Sequence, residues 1–210
     1  MNKQYKILVA CECSQVVMSA FLRHGCDSYS CDIMPAYGEY PDRHFQADAI
    51  EILYSQNWDL VIAHPPCTYL SKADSNLFYR YNAINIERYY KMLKGVEFFM
   101  KFYQYDKSPI AIENPIPKHI CNLPPYQQII SPHQFGSTFR KSTCLWLKSL
   151  PLLLPTHCPV TKPISIMAQY RSQKKRSQFD PYLAEAMAIQ WIDYLNSIHK
   201  NTPIYFLIDD

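Results

Sequence analysis

The stretch Trp58-Asp59-Leu60-Val61-Ile62-Ala63-His64-Pro65-Pro66-Cys67-Thr68-Tyr69-Leu70-Ser71 passes from an apolar run of strand length straight into two prolines and a cysteine. Neither proline has an N–H for a sheet ladder, so a strand here ends at about His64. An unbroken apolar run such as 60–63 suits a strand buried on both faces, as parallel sheets require. Cys67 then stands on the loop past the carboxyl end of that strand, the edge of an open α/β sheet where ligands bind. A cysteine there acts as a nucleophile if its surroundings lower its pKa and an electrophile is held beside it. The plainer reading is a thiol packed behind a proline turn, since free cysteine is often buried.

Upstream, residues 7–10 form a short apolar run suited to a buried strand. Residues 15–23 read as a helix with Val16, Val17, Ala20 and Phe21 inward, stopped by Gly25. A second strand over 28–31 ends at Asp32, a loop covers 35–43, and a third strand over 44–47 ends at Asp48. A helix over 49–55 leads back to the opening stretch. Strands alternating with helices in this way imply a parallel sheet covered by helices. Asp32 and Asp48 then share the sheet edge with Cys67. A carboxylate after a second strand is where nucleotide-type cofactors have their ribose hydroxyls held. For both aspartates the alternative is helix capping or a loop position.

Downstream, Tyr89, Leu93, Val96, Phe99 and Tyr103 recur at helical spacing within 76–105 and predict a long amphipathic helix with that face in the core. Stacking of its tyrosines on bases is the alternative. A strand over 110–112 ends at Glu113-Asn114-Pro115, where Pro115 holds Asn114 extended and leaves polar side chains at the tip. Residues 116–131 read as a proline-rich connection. Another strand covers 144–147, just after Phe139-Arg140-Lys141-Ser142, and 171–176 is a small basic run. Asp180-Pro181 opens the last helix as N-cap and first helical residue. Leu183, Met187, Trp191, Leu195 and Ile198 are expected on its buried face.

A length of 210 residues suits one domain with a full core, and 48% hydrophobic with 19% charged residues is ordinary for a soluble protein. No run of about 18 uncharged apolar residues occurs, which argues against a membrane span. Residues 1–6 lack the apolar run of a signal peptide. Eight cysteines without such a signal read as thiols in a reducing, cytoplasmic compartment. The pairs Cys11/Cys13, His119/Cys121 and His157/Cys158 lack the spacing of structural zinc sites, so no metal is expected. Only four glycines are present, few for a phosphate-cradling loop. A net charge of +3 does not by itself demand a nucleic-acid partner.

Four strand tips therefore carry chemistry: Cys67; Glu113 with Asn114; Asp32; and Asp48. Arg140 precedes a further strand. A thiol beside a carboxylic acid suits attack on an electron-poor ring carbon while the acid protonates a neighbouring ring nitrogen, as a pyrimidine allows. Arg140 can hold a ring carbonyl or a phosphate.

The order of these residues resembles the DNA (cytosine-5) methyltransferases, most closely their short phage- and mobile-element-type members. The matching segments are 8–17, Asp32, Asp48, Pro65-Pro66-Cys67, Glu113-Asn114-Pro115, Arg140 and 176–191. The resemblance implies a Rossmann-like, doubly wound, mostly parallel α/β sheet of the class I S-adenosylmethionine-dependent methyltransferase type. It implies S-adenosylmethionine as cofactor and DNA as substrate, either single-stranded or a duplex with its target base flipped out. In that chemistry Cys67 attacks C6 of cytosine, Glu113 protonates N3, Asn114 orients the nucleophile loop and Arg140 contacts the base or its backbone. The cofactor would lie against Ala10, Cys11, Glu12, Ser14, Asp32, Ile33, Asp48, Ala49, His64 and Pro65. Nucleic acid would meet Ser71, Lys72, Lys141, Lys174, Lys175 and Arg176.

Two departures from the family pattern shape further expectations. Cys11-Glu12-Cys13-Ser14-Gln15 holds no glycine where the family has a glycine-rich loop, so Glu12 is expected to take the cofactor's amino group. Segment 148–171 is too short for a separate target-recognition domain. Short sequence readout through 71–81 and 165–176 is therefore expected, with a homodimer or a partner subunit. Three other readings stay open: an amino-group DNA methyltransferase, a degenerate non-enzymatic fold that binds DNA, cofactor or protein, and thiol chemistry on free pyrimidine nucleotides.

Overall fold

The computed structural model describes residues 4–80, 83–157, 163–165 and 178–200. One sheet is built from β1 (Lys6–Ala10), β2 (Asp27–Asp32), β3 (His44–Gln46), β4 (Leu60–Ala63), β5 (Ile110–Asn114), β6 (Gln128–Ile130) and β7 (Thr143–Lys148). Its order is β3-β2-β1-β4-β5-β7-β6, and every pairing is parallel except the two made by β7. Winding runs outward from β1 on one side and from β4 on the other. The switch point therefore falls between these two strands, where the His64 N–H donates to the Ala10 carbonyl at 2.9 Å. A doubly wound sheet opens its ligand crevice at such a point.

Helices α1 (Val16–Arg23) and α4 (Pro181–Lys200) cover one face, and α2 (Ala49–Ser55) and α3 (Ile86–Gln104) the other. Strand alternation sends Ile7, Val9, Leu60 and Ile62 into the first core and Leu8, Ala10, Val61 and Ala63 into the second. All eight are fully buried, which is why these strands read as unbroken apolar runs. The fold is the Rossmann-like, doubly wound, mostly parallel sheet expected from the sequence. Among the described residues no helix is long and apolar enough to cross a membrane.

The long helix differs from its expected form. It begins only at Ile86, because the Asn85 side chain accepts the Arg88 N–H at 3.2 Å as N-cap. The residues before it form a helical turn (Ser75–Phe78) and two short paired strands, Tyr79–Arg80 and Ala83–Ile84. Its buried side chains are Met92, Phe99 and Phe102, while Leu93 is exposed. Phe99 sets that rotation by meeting Trp146 edge to face at 4.9 Å. Strand β6 lies inside the segment expected as connection, paired antiparallel to β7.

In α4, Asp180 caps as expected, its Oδ1 accepting the Tyr182 and Leu183 N–H groups at 3.0 and 3.3 Å. Leu183, Met187, Trp191 and Leu195 are buried, but Ile198 is exposed. Trp191 is fully enclosed, and its Nε1–H donates to the Pro151 carbonyl at 3.3 Å. Trp191→Ala is expected to cost about 3–5 kcal/mol. For a domain of this size that lowers Tm by roughly 6–20 °C in a calorimetric scan. A shift under about 2 °C would mean that α4 is not a principal support of the sheet.

Candidate active site

The register of β4 and β5 builds the site. Ala63 lies opposite Ile112, so the next residues, His64 and Glu113, emerge side by side at the carboxyl edge. His64 Nδ1 stands 3.1 Å from Oε2 of Glu113. The Thr143 hydroxyl, from the start of β7, donates to Oε1 of the same carboxylate. Both oxygens of Glu113 are thus engaged, and both side chains of the His64–Glu113 pair are largely enclosed. Alternation sends Asn114 to the opposite face. There its Nδ2 donates to the Pro65 carbonyl at 2.7 Å, pinning the proline loop to β5. Just beyond, the Cys67 carbonyl accepts the Leu70 and Ser71 N–H groups at 3.0 and 2.9 Å and starts a tight turn.

A cavity of about 190 Å³ opens at this edge, with Glu113, Lys141, Thr143, Phe139 and Phe179 in its wall. Cys67 stands outside that wall and is coupled to it by charge. Burial pushes the Cys67 thiol up, the Glu113 charge pushes it further, and Lys141 opposes both. Burial also pulls Glu113 upward. The hydrogen bond and charge of His64, with Lys141 and Thr143, outweigh burial and hold the carboxyl below its usual range. The resting site is therefore a thiol beside a carboxylate, so attack by Cys67 needs its proton removed and Glu113 needs one supplied. Two buried polar atoms here have no partner among the described residues: His64 Nε2 and Asn114 Oδ1. Each is an open hydrogen-bonding position at the carboxyl edge.

The loop between β1 and α1 does without glycine by placing ordinary residues in the left-handed region, Cys11 at φ 60° and Gln15 at φ 61°. Glu12 is buried, and its carboxylate accepts the Val17 and Met18 N–H groups at 2.8 and 3.1 Å. That is a favourable anion at a helix N-terminus. Glu12, expected at the cofactor's amino group, has both oxygens turned to α1, and Ser14 donates to one of them at 3.2 Å. Gln15 clamps the loop after β2 by donating to the Tyr40 carbonyl at 2.7 Å and accepting the Tyr40 N–H at 3.0 Å. Gly38 is needed beneath that clamp, since a Cβ there would lie 2.6 Å from Cβ of Gln15.

Other expected residues fall out as follows. Asp32 is the last residue of β2, with Oδ1 accepting the Met34 N–H at 2.9 Å, and the neighbouring Ile33 is exposed. Asp48 caps α2 through the Ile50 N–H at 2.7 Å. Ala10, Ala49 and Pro65 are buried, which leaves them only their backbone to offer a ligand. His64, expected on the cofactor side, points to Glu113. Arg140, expected at the base, is exposed, whereas its neighbour Lys141 lines the cavity. An extended segment alternates, so only one of the two can face inward. Ser71, expected at nucleic acid, is buried, and its hydroxyl accepts the Ala73 N–H at 3.2 Å. Lys72 is exposed. Lys174, Lys175 and Arg176 lie outside the described residues. Thr143 and Phe179 were not singled out from the sequence, where a lone threonine and a lone phenylalanine carry no signal.

Fold and site together define a doubly wound α/β protein with a thiol and a paired carboxylate at the carboxyl edge of its sheet. No protein-family model and no curated protein matches the chain. Among solved structures it is similar to an E. coli prophage protein described as a DNA modification methyltransferase. Identity is 15% over 75% of this chain and 53% of that one, with a TM-score of 0.46. It is similar to the Entamoeba histolytica methyltransferase EhMeth at 14% identity, covering 74% of this chain and 58% of that one, TM-score 0.42. A mutant DNMT2 of Spodoptera frugiperda matches at 14% identity over 77% and 55%, TM-score 0.38. The chain spans between 53% and 58% of the length of these proteins.

Proposed function

We infer that this chain is an S-adenosylmethionine-dependent methyltransferase acting on C5 of cytosine in DNA, with Cys67 as nucleophile. One observation carries the reading. Adjacent residues of β5 serve the same chemistry from opposite faces, with Asn114 pinning the Pro-Pro-Cys loop and Glu113 presenting a carboxylate to the cavity. An amino-group methyltransferase has no use for that carboxylate or for the thiol.

The cofactor cleft fits a ligand without phosphates. Dinucleotide folds seat a pyrophosphate on the first helix's N-terminus, but here Glu12 already occupies those amides. S-adenosylmethionine carries no phosphate. Asp32, with one oxygen committed to the Met34 N–H, has the other to offer its ribose hydroxyls. Bound there, the cofactor supplies an electrophilic methyl group. Asp32→Ala is expected to weaken its binding by about 10–100-fold, as loss of a hydrogen bond to a charged group does. Titration calorimetry with unchanged affinity would take Asp32 out of the cleft.

Within this reading Cys67 adds to C6, Glu113 protonates N3, and Lys141 favours the thiolate by its charge. Phe139 and Phe179 bound the space in which a flipped base is held. Exposed Lys72 and Arg140 are the candidates for phosphate contacts. The test is incubation with tritiated S-adenosylmethionine and duplex DNA, single-stranded DNA or dCMP. Label at C5 of cytosine in DNA is the expected result. Label on an exocyclic amine would establish the amino-group reading, label on dCMP alone the free-nucleotide reading, and absence of both binding and label the non-enzymatic one.

A further inference from the structure

His64 does not line the cavity, yet it holds one oxygen of Glu113 while Thr143 holds the other. Its ring sits against Phe179 with centroids 4.8 Å apart, so its orientation is fixed by packing as well as by the carboxylate. Its second nitrogen is buried without a partner among the described residues. A histidine that only had to fill this space would bury a polar ring nitrogen to no purpose. A leucine would fill the space without one. The retained imidazole is explained if its proton is used.

We propose that His64 is a positioning residue that acts through Glu113: its imidazolium, held on Oε2 by Nδ1, is the source of the proton that Glu113 passes to the substrate ring. This rests on the methyltransferase reading above. Once the Cys67 thiol has given its proton to solvent water, the Sγ–C6 bond forms, the C5–C6 π pair moves to C4–C5 and the C4–N3 π pair moves onto N3. N3 takes a proton from Glu113, and Nδ1 of His64 replaces it. One S–C bond and one N–H bond at N3 form, the Nδ1–H bond breaks, and the thiolate and imidazolium charges disappear together. After C5 has taken the methyl group, N3 returns its proton along the same path, the C5 proton passes to solvent water, and the C5–H pair re-forms the C5–C6 double bond as the Sγ–C6 bond breaks and the thiolate departs. The groups that face the pair electrically are Lys141, Cys67 and, from β7, Cys144. Asp180, also in the cavity wall, is occupied by the Ser137 hydroxyl at 2.7 Å.

The ring is read directly by nitrogen-15 NMR on the wild-type protein at about pH 7, since the two ring nitrogens report their own protons. Both ring nitrogens are expected to carry protons, and Glu113→Gln is expected to return the ring to neutral. His64→Asn keeps a donor near the Nδ1 position but has no proton to transfer. It is expected to lose about 10²–10⁴-fold in kcat with KM for DNA within about threefold of wild type, and to lose the histidine limb of the kcat profile against pH. A neutral ring in an active wild-type enzyme overturns the inference alone, as does His64→Asn with kcat within about threefold of wild type. An imidazolium in a protein that transfers no methyl group overturns instead the methyltransferase reading on which the inference rests.

Discussion

Changing Cys67 to serine is expected to abolish transfer of the methyl group to C5, with a fall of at least about 10³-fold in kcat. The hydroxyl is nearly isosteric, so the loop pinned by Asn114 should keep its shape, and a thermal scan should show Tm within about 2 °C of wild type. The loss is chemical. A thiol raised by burial and by Glu113 still ionises far more readily than an alcohol in the same place. If label transfer survives the substitution, no covalent bond to Cys67 is made and the amino-group chemistry is the correct one. DNA carrying 5-fluorocytosine sharpens the assignment. Fluorine at C5 cannot leave as a proton does, so the base should stay bonded to the enzyme. Peptide mapping should find it on Cys67. Attachment to Cys144, the buried thiol opposite Asn114, would move the nucleophile to another strand.

How far this site was legible follows from how local each signal is. The end of β4 could be read because two prolines after an apolar run are incompatible with a ladder whatever the rest of the chain does. α2 and β4 likewise have the bounds read from the sequence, since Asp48 and the prolines mark their limits. The His64–Glu113 pair could not be read, because its partners are 49 positions apart and meet only through the register of β4 on β5. The exchange of Arg140 for Lys141 in the cavity is a question of which face a short extended segment turns inward, which chemistry alone does not decide. The bonds that Glu12 makes to α1 could not be read, because a carboxylate after a first strand looks like a ligand group. Only the path of the chain brings the first amides of α1 onto it. The face of α3 escaped because apolar residues surround much of that helix, leaving the choice to Trp146 on the sheet.

Substituting Glu113 by glutamine is expected to move two observables in opposite directions. Methyl transfer should fall by about 10²–10⁴-fold, the usual contribution of a positioned acid. Alkylation of Cys67 by iodoacetamide at mildly alkaline pH should become faster. Glu113 helps burial to hold that thiol up, and without its charge Lys141 is opposed by burial alone. A residue that merely braces the site would lower both rates or neither. The pH dependence of stability has a definite sign as well. The folded protein holds the Glu113 carboxyl below its unfolded value, so its contribution is present above the unfolded pKa and is lost as pH falls through the folded one. Glutamine removes that titration, and unfolding free energy measured in urea should decline less steeply between neutral and acid pH than in wild type. Glutamine also puts an NH2 donor where one carboxylate oxygen stood, so His64 and Thr143, which hold different oxygens, cannot both keep donating from their present places. The net stability at neutral pH should therefore drop while its acid sensitivity is reduced. A variant with the same acid slope as wild type would mean that Glu113 is not held as a carboxylate by His64, and the proton path through this pair would lose its starting point.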